Sequence, residues 1–188
     1  MPREEIRPVL FSGENPVMRL FAPGSEEPAA LASYWRATQS EHGEGSALLI
    51  WAGSPATHAI YADNEAVAQL VTERFNQYFA RFKDHGFAGL APQPARFQVI
   101  QDGKSVYRVL CQAADRTIDL KWVEFLQVYQ MRAQNEFGGH TYEVTSTICP
   151  VRDASIVIDG TRVEANVVAT GDRETSAFVA YAETWTGR

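Results

Sequence analysis

Beyond the proline-rich connector Leu90–Pro94, apolar and polar residues alternate in short runs almost to the end of the chain. A period of two puts one set of side chains on one face only if the backbone is an extended strand. Phe97–Ile100 and Ser105–Cys111 flank Asp102-Gly103, and Ala154–Ile158 and Thr161–Glu164 flank Asp159-Gly160. An Asp-Gly pair between such runs signals a tight hairpin, because the favoured two-residue turn needs left-handed backbone. The runs beginning at Thr117, at His140 (to Cys149) and at Ser176 (to Trp185) complete the set. A chain of this kind has to form an antiparallel sheet, and must hide its apolar face by curling or by packing on something else.

The first half adds strands and one helix. Ser46–Ala52 is a near-continuous apolar run, expected as a buried strand with His58–Ala62 as its hairpin partner across Gly53–Ala56. Upstream, Val9–Phe11 and Val17–Phe21 read as short strands split by the turn-forming Ser12–Pro16. Ser25 and Pro28 are expected to open a short helix through Ala29–Arg36, since proline suits a first helical turn. The strongest helical period follows. Asp63 or Asn64 offers an N-cap, Val67, Leu70, Val71, Phe75, Tyr78, Phe79 and Phe82 recur on one face, and Gly86 supplies a stop. This helix, at about 64–85 and about 20 residues long, must bury its aromatic stripe against the sheet.

About nine strands joined mostly by short turns, with one long helix, predict a mainly β fold: an antiparallel meander closed or nearly closed into a barrel and capped by the helix. The rival is a strongly bent antiparallel sheet wrapped around the helix, an α+β arrangement. Closure removes free edges, and only a barrel guarantees an enclosed ligand space. The architecture is similar to lipocalin-like barrels, a class holding both carriers and enzymes, and that likeness is one of fold alone.

At 188 residues the chain fits a single domain, 1–188, with a sizeable core. Its 45% hydrophobic and 21% charged residues suit a soluble globular protein. A net charge of −6 argues against nucleic acid or an anionic membrane as partner. The charged Met1–Arg7 leads into no apolar signal core, and runs such as Ala47–Ala52 are too short to cross a bilayer. Cys111 and Cys149 lack metal-ligand spacing and are expected as buried free thiols. A cytoplasmic protein without cofactor or metal is the economical expectation.

Gly103-Lys104-Ser105 resembles the end of a phosphate-binding loop, but the required earlier glycine is Gln98 and the segment is a hairpin turn. What remains is a set of polar groups on faces expected to point inward. Glu124 shares a face with Ile118, Leu120, Trp122 and Leu126, and Glu183 with Ala177, Val179, Tyr181 and Trp185. A carboxyl placed among apolar neighbours must find a partner, take a proton or reach a wet cavity. If it reaches a cavity, desolvation tunes it for acid–base work. The opposite side of the Glu183 strand is also apolar, so Glu183 is expected either to line a cavity or to anchor the helix. His140, after Gly138-Gly139, is expected at a strand end near a barrel mouth, where an imidazole shuttles protons.

Glu124, Glu183 and His140 are therefore the candidate catalytic residues. Trp122, Tyr142, Tyr181 and Trp185 would supply walls and hydroxyls to a ligand. Arg108, between Val106 and Leu110, is the candidate counter-ion for Glu124 and completes the ligand-binding set. Each has a plainer role as core packing or a structural network. The expected partner is a small apolar or aromatic molecule in an internal cavity, with cofactor-free chemistry of isomerase, cyclase or hydratase type within reach. The alternative is a non-catalytic interaction protein with a solid core, most simply a homodimer.

Overall fold

The computed structural model describes residues 8–76, 82, 84–137, 139–171 and 174–187. Its strands are β1 (Val9–Phe21), β2 (Pro28–Ser40), β3 (Gly45–Ala52), β4 (Thr57–Ala62), β5 (Gln93–Gln101), β6 (Val106–Ala113), β7 (Thr117–Phe125), β8 (Tyr129–Phe137), β9 (His140–Ile158), β10 (Thr161–Arg162) and β11 (Ala177–Gly187). One short helix, α1 (Glu65–Leu70), continues as a π-helical turn over Val71–Phe75. Neighbouring strands run β9-β11-β1-β2-β3-β4-β5-β6-β7, and β7 pairs back onto β9. The result is a hydrogen-bonded ring of nine strands, not evenly disposed about an axis. It is the mainly β, barrel-like fold expected from the alternation.

Every named pairing is antiparallel except β4 with β5, which meet in parallel over only Tyr61↔Gln93 and Ala62↔Pro94. The chain reaches that seam through α1, as a parallel connection requires. Asn64 is the cap of α1, its Oδ1 accepting the N–H groups of Ala66 and Val67. Asp63 instead accepts the Ser46 N–H at 2.6 Å, tying the helix entrance to β3. Tyr78 and Phe79 of the expected helical stripe lie outside the described residues.

Two apolar layers divide the strands by parity. Met18, Leu20, Tyr34, Leu48, Ile50, Tyr107, Val109, Leu120, Trp122, Val151 and Val179 belong to a core drawn from strands all round the ring, which is its interior. The alternate residues of β1–β4, among them Phe11, Leu31, Trp35, Leu49 and Ile60, pack with Val67, Leu70, Val71 and Phe75 of the helical segment. The helix therefore covers the outer face of β1–β4 and β11.

Two hydrogen bonds cross the interior between strands that are not ring neighbours. Trp122 Nε1 of β7 donates to the Val17 carbonyl of β1 at 2.9 Å, and the Tyr107 hydroxyl of β6 donates to Glu14 Oε2 of β1 at 2.7 Å.

Several local expectations are corrected. Ala29–Arg36 is strand, not helix: β2 pairs on both sides, with β1 and β3, and is buried on both faces. Small alanines suit such a doubly covered strand, and the sheet overrides their helical preference. The N-terminal pair of short strands is one strand, β1, which absorbs Ser12–Pro16 through register shifts instead of turning. Gly13 is needed there, because a Cβ would lie 1.9 Å from the Arg36 carbonyl oxygen. His140–Cys149 and Ala154–Ile158 are halves of the single strand β9. β8 was not expected; it follows β7 along the same flank of β9. Asp159 and Gly160 both have positive φ, at 50° and 81°, as the hairpin reading requires.

Candidate functional site

One end of the barrel concentrates polar groups on the inner face. Glu14, opposite Arg36 in the β1–β2 register, follows the parity of Met18 and Leu20 into the interior. Its carboxyl is 17% exposed and lies 3.5 Å from Arg36 Nη1, while Tyr107 donates to the same oxygen, Oε2. Tyr34 packs beside this group and donates its hydroxyl to Ser46 Oγ at 3.0 Å. Burial pushes the Tyr34 hydroxyl up to about 12. Burial, then the Glu14 carboxylate, raises Tyr107 well above the ordinary phenol range, so Tyr107 acts as a neutral donor.

Tyr181 stands against Tyr107 with ring centroids 6.0 Å apart, and its buried hydroxyl has no hydrogen-bond partner. A buried hydroxyl without a partner costs roughly 1–3 kcal/mol. Phe97 and Phe125, though on the inner face, are only partly buried, and they touch Tyr34 and Tyr181 respectively. Arg36 and Ser46 also line an open polar basin of about 610 Å³ with Glu44, Asp63 and Glu65. This end thus offers an aromatic floor, a shielded carboxylate and an acidic rim.

Two left-handed backbone positions turn Glu124 and Glu183 away from the inner face expected of them. On β7 the alternation holds through Ile118, Leu120 and Trp122, and then Glu124 adopts φ 57°. Its side chain swings outward, 60% exposed and 3.4 Å from Arg152 Nη1, and Phe125 takes the inner face instead. Arg108 does not neutralise Glu124. It grips Asp119 on the outer surface through Nε and Nη2 at 2.8 and 2.6 Å. The counter-ion expectation fails because Arg108 alternates with the inward Tyr107 and Val109.

On β11, Ala182 at φ 48° accompanies a register shift against β9 between Tyr181 and Thr184. Ala177, Val179 and Tyr181 face inward, whereas Trp185 joins the helix-covered layer. Glu183 goes with Trp185. It is 3% exposed, and Oε1 accepts the Trp185 indole N–H at 2.7 Å. Burial pushes its carboxyl up to about 7, against a smaller lowering by that hydrogen bond. Trp185 stacks on Phe75 at 4.5 Å, with Trp35 at 6.5 Å, so Glu183 is in contact with the aromatic layer beneath the helix.

His140 is exposed at the β8–β9 turn and 6.2 Å from the Tyr142 ring, and Tyr142 packs in the helix-side core. Trp122 is a cross-barrel tie. Of the expected set, then, Glu183 meets Trp185, His140 lies beside Tyr142, and Tyr181 and Trp122 both pack on Tyr107.

Glu14 and Tyr107 were not singled out from sequence. The available signal is parity: Glu14, Met18 and Leu20 fall on even positions, but Ser12–Pro16 reads as a turn and hides the continuity. Among the described residues, no group of three or more His, Cys, Asp or Glu side chains is placed to hold a metal, and no helix is long and apolar enough to cross a membrane. A second depression, about 470 Å³, lies between Trp51, Gly53–Pro55 and Thr161–Glu164. Compared with known proteins, the chain matches no family model, and no curated protein or solved structure shows significant similarity to it.

Proposed function

We propose that the chain is a small-molecule binder that takes its ligand at the polar end of the barrel. The apolar or aromatic body of the ligand lies over Phe97, Phe125 and Tyr181, and a cationic, hydrogen-bond-donating head faces Glu14. The observation that carries this reading is the Glu14 carboxylate on the inner face, with Tyr107 on Oε2 and the unpartnered Tyr181 hydroxyl against Tyr107. The basin rim of Glu44, Asp63 and Glu65 against one Arg36 favours a positive head over a negative one. Acid–base chemistry would need a substrate proton within hydrogen-bond reach of Glu14, whose Oε2 is already engaged by Tyr107, so binding is the primary reading.

The rival has its own support. The interior core is continuous and crossed by hydrogen bonds at Trp122 and Tyr107, which suits a non-catalytic protein with a solid centre. Thermal shift against matched aromatic amines and aromatic acids, with native mass spectrometry of freshly purified protein, separates the two. Amines are expected to raise the melting temperature, acids are not, and Glu14→Gln should abolish the response while keeping the far-UV spectrum. Equal response to both classes would overturn the charge preference assigned to Glu14, and no response to either with no retained mass would leave the solid-core reading standing.

A further inference from the structure

β8 presents a problem that the ring does not solve. It hydrogen-bonds to β9 along nine residue pairs, from Tyr129↔Ile148 to Phe137↔His140, without a register shift. Among the described residues, its other edge has no strand partner. Tyr129–Phe137 contains no proline, glycine or lysine and its ladder has no bulge, so the charges of Arg132 and Glu136 are what guards this edge. Val128 and Tyr129, at its start, are 53% and 37% exposed. A regular edge of this length, guarded by one charge of each sign, is a template for a strand that matches those charges.

The sequence of β8 says which strand. Its exposed face carries Gln130, Arg132, Gln134 and Glu136, while Met131 and Ala133 pack toward the helix-side core. Pair β8 antiparallel with itself about Gln134, and Arg132 falls opposite Glu136 of the partner subunit. The two-fold axis repeats the pair, and Gln134 meets Gln134 of the partner subunit at the centre. Pair it about Arg132 instead, and two guanidinium groups oppose each other. Pairing about Ala133 sets Arg132 against Gln134 of the partner subunit. Only the register about Gln134 matches both charges, and opposite charges directly across strands stabilise while like charges destabilise.

We infer that β8 is the interface of a homodimer, formed by isologous antiparallel pairing about Gln134. Two sheets then become one, continuous from β4 of one copy through both β8 strands to β4 of the other. Arg132 already bonds Glu143 within its own chain at 2.8 Å, yet its guanidinium is 75% exposed and has donors to spare for a second carboxylate. A self-complementary charge pattern on a two-fold edge favours a second copy over an unrelated partner.

The test is sedimentation velocity of the full chain over a concentration series. Wild type should dimerise. Arg132→Glu and Glu136→Arg should each raise the dimer dissociation constant by about tenfold or more, and the double exchange should restore it. Gln134→Cys should give a disulfide-linked dimer on mild oxidation, whereas Gln130→Cys should not; this readout survives even if a charge variant folds poorly. A monomer at every concentration, a dimer indifferent to both single reversals, or equal cross-linking at both cysteine positions would overturn the assignment.

Discussion

Glu183 sits against aromatic rings with one indole N–H as its hydrogen-bond partner, so its protonation is coupled to folding. Its folded-state value is raised to about 7 from an ordinary 4.5. Between those values the folded protein holds a proton that the unfolded chain has released. The associated stability is fully present below the unfolded value and is lost as pH rises through the folded one. That loss amounts to about 3 kcal/mol across the window. Melting temperature should therefore fall as pH is taken from about 5 to about 8, and Glu183→Gln should flatten that slope. A slope unchanged by the substitution would assign it to other groups.

Alternation in the sequence locates the strands well; what it cannot carry is a change of phase within one. Glu124 and Ala182 each occupy left-handed backbone, and beyond each the side chains change face. Counting by twos from Ile118 puts Glu124 inside, and counting from Ala177 puts Glu183 on the inner face; both counts run through a residue whose type does not announce the shift. β2 is ambiguous for a related reason, since its alanines and Tyr34-Trp35 fit a helix as readily as a strand covered on both sides. The hairpin at Asp159-Gly160 and the Asn64 cap were legible because their chemistry is local. Glu14 was not, because its meaning depends on Tyr107, far off in the chain. The left-handed position makes a direct test. Glu124→Gly should stabilise the protein by up to about 1 kcal/mol in urea denaturation, by relieving the Cβ conflict. Glu124→Gln should change stability by less than about 0.5 kcal/mol, the pair with Arg152 being exposed. A large loss in either variant would mean that the turned glutamate is held by more than its ion pair.

At the scale of the molecule, the helix covers one side of the strands and the barrel encloses another core, so the middle of the sheet from β1 to β4 is buried on both faces. Opposite it, β5 is exposed along much of its length. The unequal protection puts the short seam beside a solvated strand of the ring. The cross-barrel bonds from Tyr107 and Trp122 both end on β1, which makes β1 the strand on which the tertiary structure is referenced.

The seam between β4 and β5 has two residue pairs, and Pro94 in one of them has no N–H to give. A ring is as cooperative as its weakest join, so this closure sets how the molecule breathes. Slits of this kind open without global unfolding. Amide hydrogen exchange should show β5 exchanging through small local openings while β1, β2 and β3 exchange only with the whole protein. Uniform protection around the ring would mean that the slit stays shut. If it parts, the gap bares Phe97 and Tyr34, and under the proposed binding role a molecule too wide for the barrel end would enter sideways, as a coin enters a purse, not as a cork enters a bottle.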